Sequence, residues 1–230
     1  MNLSLRLTEV KNTVIPCDFG ADVGCDHGFV AISLVKEGKV GKMLAMDVNK
    51  GPLEGCLENI KAEGAEDRIS VRLSDGLKAV SEDEALDTVI IAGMGGALTT
   101  RILTDGKDKL KSIKQLVLSP QSETFLVRKW LRENGYNIQK ESMVLDAGKY
   151  YFIMDVRPGN PPALSDELTE IYDLYSGYLI RTGNTLLREY LQKGLSNNKG
   201  YLESIEPSKQ GTLKRKIEIM EKTLELMPEP

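Results

Sequence analysis

The stretch Phe19-Gly-Ala-Asp-Val-Gly-Cys-Asp-His-Gly28 decides the fold of this 230-residue chain. Its apolar start, its acidic residue and its glycines are typical of a β-strand that ends in a tight loop, and the apolar run 29–36 that follows is typical of a helix. A strand, a glycine turn and a helix in this order present backbone N–H groups to a polar or anionic ligand. The stretch therefore predicts a ligand-binding loop at the edge of an α/β sheet.

The spacing of the glycines separates two classes of cofactor. Dinucleotide sites have the pattern G-x-G-x-x-G, whereas Asp22, Gly24, Asp26 and Gly28 form the pattern D-x-G-x-D-x-G. An acidic residue two positions before the first glycine would repel a pyrophosphate but would suit a ligand with a cationic sulfonium and an ammonium group. S-adenosylmethionine is such a ligand. The spacing therefore disfavours a dehydrogenase and favours a site for this cofactor.

Strand and helix patterns alternate as far as about residue 157, and only helical patterns follow. The predicted strands end at Asp22 and cover 42–47, 68–73, 87–92 and 115–119, and a hairpin covers 136–145 and 150–157. The predicted helices cover 3–14, 29–36, 52–62, a segment from about 98, and 124–133. This alternation predicts an α/β fold with a Rossmann-like sheet that is mostly parallel and ends in a C-terminal antiparallel hairpin.

A second domain is predicted after the sheet. The segment Pro-Gly-Asn-Pro-Pro at 158–162 is a break in composition, so we expect one domain over residues 1–157 and another over 163–230. Helical periods over 165–193 and 209–227 predict a C-terminal α-helical hairpin.

The composition excludes several classes of protein. The sequence has no apolar run of the ~18–20 residues that span a bilayer and no signal-peptide pattern, so no membrane partner is expected. Its three cysteines form no C-x-x-C pair and it has one histidine, which argues against a disulfide framework and a metal centre. These features predict a cytoplasmic protein without a metal.

Acidic residues and glycines follow four successive strands, and a parallel sheet brings such positions to one edge. Asp47 is placed to accept both ribose hydroxyls of a nucleoside, and Asp75 to accept from an adenine amine beside Gly76. Each aspartate could instead cap a helix, but three in register favour a site. The predicted cofactor-binding residues are Asp22, Gly24, Cys25, Gly28, Asp47, Val48, Asp75, Gly76, Ala92, Gly93 and Met94.

Several motifs resemble the bacterial tRNA adenine-N1 methyltransferases that modify position 22. They are 3–7 (LSLRL), 21–27 (ADVGCDH), 91–96 (IAGMGG), 118–121 (LSPQ), 127–135 (VRKWLRENG), 148–151 (GKYY) and the tail 178–191. The resemblance implies a class I methyltransferase domain with a coiled-coil-like helical hairpin, S-adenosylmethionine as methyl donor and tRNA as partner. The chain departs from the family pattern Asp-His-Ala-Tyr-Leu-Pro in the first loop, because 26–31 reads Asp-His-Gly-Phe-Val-Ala.

The reaction that the resemblance implies needs little acid–base chemistry. Adenine N1 carries a lone pair, so holding it in line with the methyl group can supply most of the acceleration. Methylation leaves the base positively charged, and a nearby carboxylate would stabilise that charge as it develops. Asp26 is the candidate for this role, with His27 as a contact to the base or to Asp26. Alternatively, both residues only brace the turn.

The substrate-binding residues are predicted in two groups. The loop 92–96 would form the floor of a pocket for a base that has left its stack, and Pro120 and Gln121 would line it. The segment 101–132 has eight basic residues against three acidic ones, which is suited to RNA phosphates or is simply a solvated surface. The predicted substrate contacts are Gly95, Gly96, Pro120, Gln121, Lys109, Lys111, Arg128 and Lys129.

Two alternative functions stay open at this point. The chain could methylate a small molecule or a protein, because its net charge of −4 does not indicate a nucleic-acid partner. It could also be a non-catalytic RNA-binding protein built on an inactive sheet. We expect a monomer or a weak homodimer.

Overall fold

The computed structural model of the chain describes residues 3–207 and 210–229. Lys209, at which the last helix was predicted to begin, and the predicted domain ends Met1 and Pro230 lie outside the described residues. The chain divides into two compact units, Met1–Pro161 and Pro162–Pro230.

The first unit is built on one seven-stranded sheet. Its strands are β1 (Cys17–Val23), β2 (Val40–Asp47), β3 (Ile69–Leu73), β4 (Thr88–Ala92), β5 (Gln115–Ser119), β6 (Tyr136–Asp146) and β7 (Lys149–Pro158). They lie in the order β3-β2-β1-β4-β5-β7-β6. Strands β1 to β5 pair in parallel, whereas β7 is antiparallel to both of its neighbours. The predicted mostly parallel sheet with an antiparallel hairpin is confirmed.

Helices cover both faces of this sheet because its central strands are apolar on both sides. The helices are α1 (Leu5–Thr13), α2 (Phe29–Lys36), α3 (Lys50–Ala62), α4 (Gly96–Asp105) and α5 (Thr124–Glu133). Ile90 and Val117 belong to the apolar cluster that includes residues of α1, α2 and α3. Val89 and Ile91, which alternate with Ile90 along β4, belong to the cluster that includes residues of α4 and α5. The core therefore consists of two layers separated by the sheet.

The order of the strands reverses between β1 and β4. The chain runs outward from β1 to β3 and then returns to pair β4 against the other side of β1. At such a reversal the connections leave the sheet in opposite directions, which opens a crevice outside the carboxyl ends of the strands. The loops after β1, β2 and β4 therefore surround this crevice.

Arg128 on α5 is buried, which corrects the prediction that it contacts an RNA phosphate. The side chain is only 3% exposed, and its Nη2 donates a hydrogen bond of 2.7 Å to Oε1 of Glu141. The guanidinium also lies 5.0 Å from the centre of the Phe152 ring. Its charge is used inside the unit, to hold α5 against the hairpin of β6 and β7.

The second unit is entirely helical in its described residues. Its helices are α6 (Asp166–Tyr175), α7 (Gly177–Arg181), α8 (Thr185–Leu202) and α9 (Gln210–Leu226), and α9 packs against the other three. The predicted single helix over 165–193 was wrong, because the chain turns at Ser176 (φ 68°) and Gly183 (φ 62°). Each turn is followed by a new helix that starts with a side-chain cap, from Ser176 before α7 and from Asn184 before α8.

The buried pair of Arg128 and Glu141 gives a test of how the hairpin is held. Glu141→Gln leaves the guanidinium buried without its counter-charge, so we expect the free energy of unfolding to fall by about 3–5 kcal/mol. Urea denaturation followed by circular dichroism measures this loss. Lys140→Gln, at the exposed neighbouring position of β6, is the matched control and should change stability by less than about 0.5 kcal/mol. Equal stability of the two variants would show that the pair contributes nothing.

Candidate active site

A cavity of about 400 Å³ lies in the crevice at the carboxyl ends of β1, β2 and β4. We call it the Asp22 cavity. Its walls come from the loops after these strands, from the first turns of α1, α2 and α3, and from the loop after β5. It is lined by Arg6, Leu7, Asp22, Gly24, Cys25, Asp26, His27, Phe29, Val30, Asp47, Asn49, Pro52, Ala92, Gly93, Met94 and Gln121.

A second cavity of about 280 Å³, the Asp75 cavity, adjoins the first one. The two share Gly24, Asp47, Asn49 and Met94 as a common wall. The remaining lining residues are Val23, Val48, Ser74, Asp75, Gly76, Leu98, Arg101 and Ile102. Together the two cavities form a groove across the ends of β1, β2, β3 and β4.

The structure brings ten of the eleven predicted cofactor-binding residues to this groove. The residues at the Asp22 cavity are Asp22, Gly24, Cys25, Asp47, Ala92, Gly93 and Met94, and those at the Asp75 cavity alone are Val48, Asp75 and Gly76. Gly28 lines neither cavity. It has φ 72° at the start of α2, where a Cβ would lie 2.5 Å from Sγ of Cys56, so its role is to close the turn against α3.

Gly24 allows the loop after β1 to approach the loop after β4. Its φ is 74°, and a Cβ at this position would lie 2.2 Å from Cε of Met94. Only glycine meets both demands without strain. The residue that the spacing singled out therefore lies in the wall shared by the two cavities.

Asp22 is the most deeply buried carboxylate of the groove. It is 5% exposed, and burial, with a smaller effect of the nearby charge on Asp47, raises its pKa to about 7. A carboxyl group with this pKa exchanges its proton near neutral pH. A cation beside it would favour the ionised form, because opposite charges lower the pKa of an acid.

Asp47 and Asp75 lie farther along the groove. Oδ1 of Asp47 accepts a hydrogen bond of 2.8 Å from the backbone N–H of Asn49, which fixes the carboxylate at the shared wall. Asp75 accepts 2.9 Å from Arg101 and 2.6 Å from Lys78. Hydrogen bonds from these two cations hold the pKa of Asp75 well below its usual range. An adenine amine would therefore share the Asp75 carboxylate with Arg101 and Lys78.

Asp26 and His27 lie at the mouth of the Asp22 cavity. The Asp26 side chain is 74% exposed, and its φ of 51° is in the left-handed region that aspartate tolerates better than most residues. Nε2 of His27 lies 3.6 Å from Oδ1 of Asp26, and the imidazole stacks on the Phe29 ring at a centroid distance of 5.6 Å. This arrangement gives the mouth one exposed carboxylate beside the stacked rings of His27 and Phe29.

The predicted substrate-binding residues near the cavity are only partly brought together. Gln121 lines the Asp22 cavity, but Pro120 is buried and lines neither cavity. Gly96 is needed for packing, since a Cβ there would lie 2.3 Å from the carbonyl oxygen of Glu123. A Cβ added at Gly95 would likewise lie close to another side chain, 3.2 Å from Oγ of Ser122. The predicted floor is corrected accordingly, because it is formed by 92–94 rather than by Gly95 and Gly96.

The predicted phosphate contacts lie outside the groove. Lys111 is exposed and pairs with Asp108 at 2.7 Å, Lys109 is half-buried and Lys129 is exposed. Other cations of this segment are also engaged, Arg101 by Asp75 and Lys114 by Asp87. The excess of positive charge that the sequence suggested is thus largely neutralised locally.

Sequence reasoning missed several lining residues. Asn49 was detectable, since it follows Asp47 by two positions and precedes a helix. Arg6 lies within the motif 3–7, but that motif alone gave no reason to place the residue in the groove.

Of the described helices, none is long and apolar enough to cross a membrane, and the described residues hold no group of three acidic, cysteine or histidine side chains suited to a metal.

The comparisons with known proteins agree with this geometry. A family model described as a methyltransferase domain matches residues 3–154. The tRNA (adenine(22)-N(1))-methyltransferase of Bacillus subtilis (strain 168) is 29% identical over 231 residues, which cover 100% of this chain and 97% of that protein.

Solved structures extend the likeness to the whole chain. Sp1610 of Streptococcus pneumoniae, a candidate tRNA (m1A22) methyltransferase, superposes with a TM-score of 0.90 at 30% identity, over 97% of this chain and 100% of that one. The same protein has been solved with S-adenosyl-L-methionine. M. capricolum TrmK, solved with S-adenosyl-homocysteine, has a TM-score of 0.88 at 25% identity over 98% of this chain and 99% of that one.

The fold, the groove at the strand reversal and the similarity over nearly the full length lead to one conclusion. The chain belongs to the methyltransferase-domain family and, within it, to the family of the tRNA (adenine(22)-N1)-methyltransferases.

Proposed function

We propose that this chain transfers a methyl group from S-adenosylmethionine to N1 of the adenine at position 22 of tRNA. The observation that carries the proposal is the groove itself, in which three carboxylates from the ends of β1, β2 and β3 lie along one edge of the sheet. The similarity of the whole chain to the Bacillus subtilis tRNA (adenine(22)-N(1))-methyltransferase supports the choice of substrate.

The residues of the groove fit S-adenosylmethionine. Asp22 is a buried carboxyl group whose raised pKa calls for a neighbouring cation, and the cofactor has two cationic groups at its methionine end. Asp47 is fixed at the shared wall, where it can accept from ribose hydroxyls, and Gly24 lets backbone approach the ligand closely. Gly76 would keep the adenine end open. When bound, S-adenosylmethionine supplies an electrophilic methyl group.

The acceptor side of the site needs no strong base. Adenine N1 has a lone pair, so the protein has only to orient the base and to stabilise positive charge on it. Asp26 is suited to this task because its carboxylate is exposed at the mouth of the Asp22 cavity. His27 and Phe29, stacked beside it, offer a flat surface for the base. Gln121 and Gly93 would face the opposite side of the opening.

The tRNA would contact the surface outside the groove. The target base has to leave its stack, which costs a few kcal/mol, and contacts to the backbone of the RNA can offset this cost. Lys109, Lys111 and Lys129 are the candidates for these contacts on the basic segment, whereas Arg128 is buried. A tRNA substrate is consistent with a cytoplasmic enzyme, and we expect it to act as a monomer or a weak homodimer.

Methyl transfer to unmodified tRNA tests the proposed function directly. The full chain is incubated with in vitro transcribed tRNA and isotope-labelled S-adenosylmethionine, and digestion followed by mass spectrometry maps the methyl group. We expect 1-methyladenosine at position 22. A tRNA in which guanine replaces this adenine is the matched control and should receive no methyl group. Methylation of small molecules or proteins in the absence of RNA would contradict the proposal.

Asp26→Asn isolates the charge at the mouth of the cavity. Asparagine tolerates the positive φ of this position, so the loop should keep its shape. We expect binding of S-adenosylmethionine to stay within about twofold, while kcat for tRNA falls by about 10²-fold, as when one charge-stabilising group is removed from a transition state.

Calorimetry measures the affinity for S-adenosylmethionine, and steady-state kinetics with saturating tRNA measures kcat. Asp67→Asn is the matched control, since its side chain is 79% exposed and lies outside the cavities. An unchanged kcat in Asp26→Asn would assign Asp26 to the structure of the loop alone.

The raised pKa of Asp22 predicts that cofactor binding releases a proton. In the empty protein Asp22 is mostly protonated at pH 6, below its pKa of about 7, and a cationic ligand favours the ionised form. Affinity for S-adenosylmethionine should therefore rise from pH 5 to about 7 and then level off. The raised pKa also affects folding, because the folded protein binds this proton more tightly than the unfolded chain does. The free energy of unfolding of the protein without ligand should therefore fall as the pH rises from about 4 to 7.

Calorimetry at pH 6 in buffers of different ionisation enthalpy counts the released protons. We expect close to one proton per ligand for the wild type and near zero for Asp22→Asn. Equal release by the two proteins would show that another group titrates on binding.

A further inference from the structure

Cys25 and Cys56 form a pair of thiols beside the Asp22 cavity. The thiol of Cys25 donates a weak hydrogen bond of 4.0 Å to Sγ of Cys56. The two residues are 31 positions apart in the sequence, so they form no short motif. The transfer of a methyl group uses neither sulfur atom, and the pair therefore has no role in the function described so far.

The two thiols differ in their access to small solutes. Both side chains are buried, but Cys25 lines the Asp22 cavity. Cys56 lies on α3 and lines neither the Asp22 cavity nor the Asp75 cavity. A solute that enters the Asp22 cavity therefore meets Cys25 first.

The loop after β1 is packed against α3 on both sides of this pair. A Cβ at Gly28 would lie 2.5 Å from Sγ of Cys56, and a Cβ at Gly55 would lie 2.9 Å from Nδ1 of His27. Nδ2 of Asn59 donates a hydrogen bond of 3.0 Å to the carbonyl oxygen of His27. The two segments are thus already in contact, and the sulfur atoms have to approach by only about 2 Å to reach the length of a disulfide bond.

Gly28 makes room for the inner thiol of the pair. The family pattern has an alanine at the position of Gly28, and its methyl group would collide with Sγ of Cys56 in this chain. The departure of the first loop from the family pattern is therefore linked to the cysteine on α3.

We propose that Cys25 and Cys56 form a site of reversible oxidation, which closes to a disulfide when a peroxide enters the Asp22 cavity. The formation of this bond is independent of the proposed function. Only its effect on methyl transfer rests on that function. Disulfides of this kind in the cytoplasm are transient and report an oxidising environment.

The oxidation consumes one peroxide molecule and no further reactant. The Cys25 sulfur attacks one peroxide oxygen, so that an S–O bond forms and the O–O bond breaks. The departing oxygen takes the thiol proton and leaves as water. The Cys56 sulfur then attacks the sulfenic acid on Cys25, so that the S–S bond forms, the S–O bond breaks and a second water leaves with the Cys56 proton. Two electrons pass from the two sulfur atoms to the peroxide, and a dithiol reductant reverses the change by thiol–disulfide exchange.

The surroundings of the pair make this reaction slow. The hydrogen bond to Cys56, burial and the charges of Asp22 and Asp47 raise the pKa of the Cys25 thiol. Since the thiolate is the form that attacks a peroxide, the pair responds to sustained rather than to brief oxidation.

The disulfide would change the wall of the Asp22 cavity. The backbone N–H groups of Gly24 and Cys25 donate 2.7 and 2.9 Å to the carbonyl oxygen of Met46, which ties this part of the loop to β2. The new bond draws the Cys25 side chain away from the cavity and toward α3. Asp26, the next residue in the loop, is displaced with it, so we expect the bond to impair methyl transfer.

Mass spectrometry of the full chain tests for the bond itself. The protein is treated with hydrogen peroxide, denatured, alkylated and digested without reductant. We expect the intact chain to lose the mass of two hydrogen atoms, alkylation to be confined to Cys17, and one cross-linked pair of peptides to contain Cys25 and Cys56. Dithiothreitol should restore alkylation of all three cysteines. Free, alkylated Cys25 and Cys56 after prolonged treatment would overturn the proposal, as would sulfinic acid on Cys25 without a cross-link.

Two variants separate the roles of the cysteines. Cys56→Ala removes the second thiol, so we expect no cross-link and a sulfenic acid on Cys25 that dimedone traps. Cys17→Ala is the matched control, because Cys17 lies at the other end of β1, and it should form the cross-link at the rate of the wild type. Circular dichroism establishes that each variant is folded, and the peptide map of the wild type decides the question even if Cys56→Ala is unstable. A cross-link that involves Cys17 instead would overturn the assignment.

Two further measurements test the route through the cavity and the effect on the site. S-adenosyl-homocysteine, once calorimetry shows that it is bound, should slow the cross-link by at least about tenfold because it fills the cavity. The cross-linked wild type should lose at least about tenfold in kcat for tRNA, since small displacements of site residues are costly, and dithiothreitol should restore it. Equal rates with and without the ligand would overturn the route, and an unchanged kcat would overturn the effect on the site. If the untreated wild type methylated no tRNA, the proposed function would fail, whereas the peptide map would still decide whether the disulfide forms.

Discussion

The pairing of β1 with both β2 and β4 is the constraint on which the rest of the structure depends. Since β1 lies between them in parallel, the three strands end at the same edge, and the connections after β1 and β4 must leave in opposite directions. The groove exists because of this divergence. Gly24, at a φ of 74°, lets the loop after β1 turn at this edge beside the end of the Met94 side chain.

Much of the fold could be predicted because each strand of the sheet is a short apolar segment that is recognisable from its own residues. The apolar segments were found to within two residues in most strands, and β5 (Gln115–Ser119) and α5 (Thr124–Glu133) have the predicted limits. Parallel strands also bring their ends together by geometry alone, which is why Asp22, Asp47 and Asp75 could be assigned to one edge without knowledge of any contact. The residues predicted to line the groove follow from the positions of the apolar segments and from the parallel pairing of the strands.

The parts that could not be predicted depend on contacts between distant segments. Arg6 is held by Asp146, 140 residues away in the sequence, and neither residue shows this pairing in its own surroundings. Arg128 has the same exposed-looking context as Lys129, yet the helix turns it toward Glu141 and buries it. The break at Ser176 was hidden for a different reason. The apolar period continues across it and across the second break at Gly183, and this period outweighs the turn signals Ser-Gly at 176–177 and Gly-Asn at 183–184.

The charges around the groove separate the recognition of the cofactor from that of the RNA. A groove lined by four carboxylates attracts a cationic ligand but repels a phosphate backbone, so an RNA substrate can present only an uncharged base to it. Attraction for the backbone has to come from cations far enough away to avoid neutralising the aspartates. Lys129 and Lys109 line neither cavity, whereas Arg101, which does, is paired with Asp75. An acidic chain can thus act on a polyanion, provided that the cations that attract the backbone lie outside the groove and the carboxylates lie inside it.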